Sequence, residues 1–189
     1  KKNKLAIFGL LIIFCATLIA LLGPIIRPDN SPKANNQILE ITTRKPGFKI
    51  KVLKIRKDED EKSRSFMVLF SKGLESNYRF VPIFDYSFEG SDIVVEKYTG
   101  NEINNGQILR FNLAEVVYPL DHNKVDEVSG ALEFYTLDEG KKSITIEALR
   151  NEVEQNNIIT NTYLLGTDKY GRDMLSRLMA GTWISLSVG

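Results

Sequence analysis

The side chains that most often carry out covalent chemistry are scarce in this 189-residue chain, which contains one histidine and one cysteine. His122 lies in the polar stretch PLDHNKVDE, where Asp121 is its only obvious companion, so a surface-loop histidine is the simpler interpretation. Cys15 lies in an apolar stretch and has no second cysteine with which to form a disulfide. The sequence therefore gives no reason to predict covalent catalysis or a metal site.

Sequence motifs that mark common active sites are also missing. The chain contains no G-x-S-x-G, H-E-x-x-H or G-x-x-x-x-G-K-[ST] pattern. Without the last of these, a phosphate-binding loop, the chain is not expected to hydrolyse ATP itself. The 25 basic and 24 acidic side chains nearly balance, which gives no argument for a nucleic-acid partner.

A denser pattern of small, charged and apolar residues occupies residues 163–189, YLLGTDKYGRDMLSRLMAGTWISLSVG. Thr167 or Asp168 is a suitable N-cap for a helix, and Asp173 has the charge favoured near a helix N-terminus. An apolar stripe faces a polar side in the following residues. The stripe is Met174, Leu175, Leu178 and Met179, and the polar side is Arg172, Asp173, Ser176 and Arg177.

This stripe predicts an amphipathic helix over residues 161–183 that is suited to a membrane surface. Trp183 belongs to a residue type favoured at that interface, and residues 184–189 resemble the beginning of an apolar helix. Two interpretations stay open on physical grounds. The segment is either an ordinary amphipathic helix closing a soluble domain or the approach to a second membrane span.

The element that would position such a segment at a membrane is the uncharged stretch 5–26, LAIFGLLIIFCATLIALLGPII. About 20 apolar residues in a helix cross a bilayer core. The stretch is longer than the apolar part of a signal peptide and lacks a small-x-small cleavage pattern, so a retained transmembrane helix is favoured over a signal peptide, a lipid anchor or a buried core helix. Lysines within residues 1–4 predict a cytoplasmic N-terminus and an external location for the residues after Ile26.

Between these segments, residues 27–37 are predicted to form an exposed linker and residues 38–160 an external β-rich domain. Runs such as FKIKVLKIRK alternate apolar and polar residues, and Gly, Asn and Asp separate the runs, which is typical of antiparallel strands. A hairpin turn is predicted at Asn105-Gly106 and a solvated loop at residues 58–64. Apolar residues at helical spacing predict a helix from Ile146 to Ile158.

Four aromatic residues alternate along one candidate strand pair: Phe80, Phe84, Tyr86 and Phe88. They are predicted to face the core of the β domain, and a ligand platform is the alternative.

The window 163–189 closely resembles the signature that precedes the second transmembrane helix in the dipeptide/oligopeptide/nickel ABC transporter permeases. The matching positions are Leu165, Gly166, Thr167, Asp168, Gly171, Arg172, Asp173, Leu175, Ser176, Arg177, Leu178, Gly181, Ser185, Leu186, Val188 and Gly189. The family usually has His-Pro where Tyr163-Leu164 stand, a basic residue where Trp183 stands, and a short external segment where this chain has the β domain.

The resemblance implies a multi-pass inner-membrane transport subunit that is not an enzyme and holds no cofactor. It implies that residues 184–189 begin a truncated second transmembrane helix of an N-terminal fragment. The implied partners are a second permease subunit, two ATPase subunits that bind ATP and Mg²⁺, an external solute-binding protein and the lipid bilayer. The β domain has no counterpart in the resemblance and follows from the strand pattern alone. The predicted fold class is a membrane protein fragment with one transmembrane helix, a mainly antiparallel, β-rich α+β external domain, and an amphipathic helix leading into a truncated second span.

Two other functions remain open from the sequence. The chain could be a single-pass, membrane-anchored β domain that acts as an adaptor or binding module, or, with less support, an anchored external enzyme. The transported substrate, whether dipeptide, oligopeptide or nickel, is not indicated. The charges of Asp168, Arg172, Asp173 and Arg177 could pair within their own helix, with the partner permease or with the binding protein.

Overall fold

The computed structural model describes residues 3–59, 76–100 and 106–188. The chain divides into two compact units. The first is built mainly from residues 3–48 and 163–188, and the second from residues 49–59, 77–100 and 106–162. The loop predicted at 58–64 and the turn predicted at Asn105-Gly106 lie largely or partly outside the described residues.

The first unit begins with helix α1, Lys4–Ile26, whose N-terminus is capped by the side chain of Asn3. Its apolar stretch Lys4–Gly23 has a mean hydropathy of 3.0 and is long enough to cross a bilayer. Most of its large apolar side chains are exposed, for example Leu10 and Ile13. A contiguous exposed apolar surface of this kind is typical of a membrane or protein contact, which agrees with the predicted transmembrane helix.

A second long helix, α4, spans Met174–Val188 and packs against α1. Near its start, the Ser176 hydroxyl accepts a hydrogen bond of 2.9 Å from the N–H of Asp29. Further along, the backbone oxygen of Met179 lies 3.8 Å from the position that a Cβ on Gly23 would occupy. Since α4 meets an earlier part of the chain as it advances, the two helices run antiparallel.

The start of α4 differs from the sequence-based expectation. Thr167 and Asp168 do not cap it, because the helix begins at Met174. Asp173 takes the capping position instead, and its carboxylate accepts a 2.8 Å hydrogen bond from the N–H of Ser176.

The second unit contains two sheets, and the antiparallel β-rich domain predicted from the sequence is confirmed. The five-stranded sheet has the order β4-β3-β2-β1-β8, and the three-stranded sheet has the order β5-β6-β7. The strands are β1 Phe48–Arg56, β2 Tyr78–Glu89, β3 Asp92–Lys97, β4 Ile108–Asn112, β5 Leu120–Val128, β6 Ala131–Thr136, β7 Gly140–Thr145 and β8 Ile158–Tyr163. His122 therefore lies within β5 and not in the predicted surface loop.

Both sheets contribute to one hydrophobic core together with two short helices, α2 Leu113–Val117 and α3 Ile146–Glu152. The helix predicted from Ile146 to Ile158 is confirmed to within one residue, but only its first part is α-helical. A π-helical turn, Val153–Asn157, follows α3, and Ile158 begins β8. The buried side chain of Asn157 fixes this transition by donating hydrogen bonds of 2.7 Å to the Lys54 carbonyl and 3.0 Å to the Val116 carbonyl.

A β-bulge changes which side chains of β2 face the core. The register against β3 shifts between Ile83 and Asp85, so Phe84 is an extra residue in the ladder. Before the bulge the core-facing residues are Val81 and Ile83, and after it Tyr86 and Phe88 pack on the core. The predicted aromatic core face therefore holds for Tyr86 and Phe88. Phe84 instead lies 4.7 Å, centroid to centroid, from the ring of Tyr98.

Candidate functional site

Two loops of the first unit bring the predicted signature residues together. We call residues 27–46, which follow α1, and residues 163–173, which precede α4, the junction loops. Sequence analysis assigned 27–37 to an exposed linker and 38–160 to the β domain. In the structure Arg27, Ala34 and Ile41 are buried, and residues 38–48 belong to the first unit. The expectation of an exposed linker is therefore wrong at Arg27 and Ala34, and the β unit begins at Lys49 and not at residue 38.

Thr167 joins the two junction loops. Its hydroxyl accepts a 2.8 Å hydrogen bond from the N–H of Arg44, a residue 123 positions earlier, and donates to the carbonyl of Ile41. Its own N–H donates to the Arg44 carbonyl at 3.0 Å. Because both hydroxyl functions and the backbone of a buried residue are used, Thr167 holds the loops in one register.

Two glycines allow the loops to approach this closely. Gly166 and Gly171 have φ angles of +75° and +70°, which side-chain-bearing residues rarely adopt. A Cβ on Gly166 would lie 2.2 Å from the Arg44 carbonyl oxygen, and one on Gly171 would lie 1.7 Å from the Ile38 carbonyl oxygen. Both positions therefore require glycine for its conformation and for its size.

Asp168 and Arg172 form the charged centre of the second junction loop. Asp168 Oδ2 accepts a 2.7 Å hydrogen bond from Nε of Arg172 and forms an ion pair with its Nη2 at 2.6 Å. Oδ1 accepts from the backbone N–H groups of Tyr170 at 2.8 Å and Arg172 at 3.0 Å. Arg172 also donates 2.9 Å to the Asn35 side-chain oxygen in the first loop. The ion pair thus closes the second loop, and Arg172 also connects that loop to the first one.

These contacts set the protonation state of Asp168. Its partial burial would raise the pKa of the carboxyl, but the hydrogen bonds from the Arg172 side chain and from the Arg172 and Tyr170 backbones outweigh that effect. The pKa of Asp168 is therefore lowered, and the group is ionised at neutral pH.

Asp173 and Ser176 connect α4 to the segment after α1. The buried Asp173 carboxylate accepts hydrogen bonds from both the N–H and the hydroxyl of Ser176. The Ser176 hydroxyl in turn accepts from the N–H of Asp29. Asp29 itself accepts from the N–H of Ser31 at 2.9 Å and that of Asn36 at 3.1 Å, which shapes the first loop. These contacts pair the charged signature residues with groups of the same chain, which is one of the pairings that the sequence left open.

The other predicted signature residues lie outside this network. Leu165 and Leu178 are exposed, Leu175 is half-buried, and no atom lies within 4 Å of a Cβ placed on Gly181. Arg177 places its Nε 3.8 Å from Asp168 Oδ2. Sequence reasoning missed the contributions of Asp29, Asn35 and Arg44, because only the folded loops bring them to the signature.

The site has the properties of a structural anchor. Each carboxylate oxygen of Asp168 already accepts hydrogen bonds, so neither is poised to take a proton from a substrate. In the three ranges that the structure describes, no group of three or more His, Cys, Asp or Glu side chains could hold a metal ion. What the arrangement does is fix the C-terminal end of α1 to the N-terminal end of α4.

Residues 1–40 match the family model described as the N-terminal TM domain of oligopeptide transport permease C. The matched range covers α1 and the first junction loop as far as Glu40. No curated protein and no solved structure matches the chain. The match supports an oligopeptide transport permease N-terminal region and a membrane location for α1.

Proposed function

We propose that this chain belongs to a transmembrane permease subunit of an ABC importer for oligopeptides. The proposal rests on contacts between two parts of the sequence that each resemble this family independently. The residues that match the permease family model are held by the window that resembles the permease signature, through Ser176 to Asp29 and through Arg172 to Asn35. Two distant stretches with the same family likeness therefore fold as one unit.

In this function the chain performs transport without covalent catalysis. ATP hydrolysis takes place on two separate ATPase subunits, which hold ATP and Mg²⁺, and a second permease subunit completes the pathway. Alternating access requires groups of helices to move largely as rigid bodies. The junction loops serve this by joining α1 to α4 through buried hydrogen bonds, so that the pair moves together.

The membrane arrangement follows from the same proposal. Residues 1–4 lie in the cytoplasm, α1 spans the inner membrane, the β unit is external, and α4 re-enters the bilayer beside α1. The antiparallel packing of α4 on α1 supports re-entry, because residues after Met179 lie along the apolar part of α1.

Uptake measurements test the transport function. Cells lacking the gene are compared with cells complemented by the unaltered gene, using labelled tri- to hexapeptides and, separately, radioactive nickel. We expect energy-dependent peptide uptake to be lost on deletion and restored on complementation. Equal peptide uptake in both strains would refute the peptide assignment, and selective loss of nickel uptake would assign the substrate to the other branch of the family.

For the β unit we propose contact with an external solute-binding protein, since it is inserted between the two helices. A deletion of residues 36–158 would remove the β unit together with part of the first junction loop. Residues 36–46 bind the second junction loop, and removing them would destroy the site itself. Removing 49–162 and joining 48 to 163 through a short glycine linker keeps the loops, because Gly47 already donates a 2.9 Å hydrogen bond to the Tyr163 carbonyl.

The deletion variant separates the two proposals. If the β unit docks the binding protein, the variant assembles with its partners but loses binding-protein-stimulated uptake. Normal docking and normal uptake would remove this role from the β unit and leave the permease function intact.

An adaptor or binding module is the second candidate, favoured by one observation. The β unit has its own core of two sheets and two helices, as an independent binding domain would. Purification from membranes in mild detergent discriminates the two functions. A permease co-purifies with ATPase subunits, whereas an adaptor does not.

A further inference from the structure

The first unit contains a groove beside α4 that none of the anchoring contacts fills. It has a volume of about 570 Å³. One wall is a face of α4 that includes Arg177, Ala180 and Ile184, and the other wall is the first junction loop at Lys33 and Asn35. The α4 residues of this wall follow helical i, i+3, i+7 spacing, so they form a single strip along the helix.

This strip is distinct from the face that packs on α1. Ser176 and Met179 approach the α1 side of the unit, as their contacts with Asp29 and Gly23 show. The residues of the groove face each follow a residue of the α1-facing side by one position, so the two faces are about 100° apart around the axis of α4. Gly181 lies on the groove face and has no atom within 4 Å of a Cβ position, which leaves the groove open there.

The groove changes from cationic to apolar along the helix. Arg177 lies at one end of the α4 wall and Ile184 at the other, and Lys33 lies on the facing loop wall. Lys33 makes no ion pair with the part of the chain that the structure describes. Arg177 is 3.8 Å from Asp168, but that carboxylate already accepts two shorter contacts from Arg172. The two charged side chains among the residues that line the groove are therefore both basic.

The position of the groove along the helices matches a membrane interface. The uncharged stretch of α1 ends at Ile26, three residues after Gly23, and Gly23 is level with Met179 of α4. At about 1.5 Å per residue, Ile184 lies about 7.5 Å from Met179 on the apolar side, and Arg177 lies about 3 Å from it on the other side. The groove thus crosses the level at which hydrocarbon gives way to headgroups.

The geometry points to a binding site for an anionic phospholipid in this groove. The headgroup phosphate binds between Lys33 and Arg177, and one acyl chain lies along Ala180, Gly181 and Ile184. An amphiphile with a negative head suits the pattern of charge and apolar surface, whereas a free phosphate would leave the apolar half empty. This inference requires α1 to span the bilayer but does not require the chain to transport peptides.

Native mass spectrometry of the complete complex, purified from membranes in mild detergent, tests the site. Phosphatidylglycerol and phosphatidylcholine are added in parallel, and the bound fraction of each is measured for Lys33→Gln, Arg177→Gln and the double variant. Since one basic side chain near an anionic surface strengthens binding about fivefold, we expect phosphatidylglycerol retention to fall about fivefold for each single variant and about 25-fold for the double variant.

Lys45→Gln is the matched control, because Lys45 is an exposed lysine of the same junction loop that does not line the groove. Its lipid retention should equal that of the unaltered protein. Lys33→Gln removes no described contact, so its result does not depend on folding. A photo-crosslinker at Ile184 should label lipid.

Three results would overturn the proposal: unchanged phosphatidylglycerol retention in the double variant, bound phosphate without lipid, or crosslinking of position 184 to another polypeptide. The last would show that a partner subunit covers the groove. Peptide uptake is measured separately, so failure of the lipid site and failure of the transport function are distinguishable.

Discussion

Replacing Gly171 by alanine tests whether the junction loops are held as tightly as the contacts indicate. A left-handed backbone costs a side-chain-bearing residue about 1–2 kcal/mol. The added Cβ would also lie 1.7 Å from the Ile38 carbonyl oxygen, so backbone must move. Forced shifts in packed regions cost about 1–3 kcal/mol more, which gives a total destabilisation of about 2–5 kcal/mol.

Two other glycines separate these contributions. Gly47 has φ +81° but nothing within 4 Å of a Cβ, so Gly47→Ala should lose only the conformational part, about 1–2 kcal/mol. Gly181 lies inside α4 with open space around it, so Gly181→Ala should be neutral or stabilise by up to about 1 kcal/mol. The three variants therefore form a graded series within one unit.

The assay is the apparent melting temperature of the detergent-purified protein, followed with a thiol-independent dye, together with the amount of protein in membranes. For a chain of this size, 1 kcal/mol corresponds to roughly 2–4 °C. We expect Gly171→Ala to melt well below Gly47→Ala, and Gly47→Ala below Gly181→Ala. Equal melting of Gly171→Ala and Gly47→Ala would show that the close approach to Ile38 does not constrain the loops, and the reasoning would fail.

Three further predictions use the same assay or hydrogen exchange. Asp168→Asn should lower the melting temperature at neutral pH. Because the folded-state pKa of Asp168 is lowered, the difference from the unaltered protein should persist down to about pH 5 and close as the pH falls below about 4. A difference in melting temperature that stays constant across this range would contradict the prediction. Ser176→Ala should destabilise the protein by about 1–2 kcal/mol through two lost hydrogen bonds, whereas the exposed Ser185→Ala should not. Asn157→Ala should leave two carbonyls without their donor and reduce hydrogen-exchange protection in β8 by about 1–3 kcal/mol. The control is Asn156→Ala, which changes an exposed side chain. Equal effects of the two variants would refute the prediction.

Local patterns in the sequence were sufficient for the elements whose environment is simple. Residues 5–26 have one chemical character throughout, and α1 forms there. The alternation in FKIKVLKIRK becomes β1 because one face of that strand enters a core. In both cases the signal extends over many residues and does not depend on what lies elsewhere in the chain.

The errors came from positions decided by distant partners. Thr167, Asp168 and Asp173 are all acceptable N-caps by residue type, and only the contacts of Thr167 with Ile41 and of Asp168 with Arg172 leave Asp173 for the role. The buried residues of the first junction loop look like linker because their partners lie more than 100 positions later. The bulge at Phe84 likewise depends on the register of β3 and not on β2 alone.

The pairing of α1 with α4 has a consequence for how the protein is made. Roughly 150 residues separate the end of α1 from the start of α4, so α1 leaves the ribosome long before its packing partner exists. At about 5–20 residues per second, this interval lasts on the order of 10–30 s. In the proposed topology, the intervening β-rich segment is exported during that time, and α1 stays in the bilayer without α4, accessible to lipids and chaperones. Biogenesis, and not only the finished fold, therefore selects for a first helix that is stable in the membrane without its neighbour.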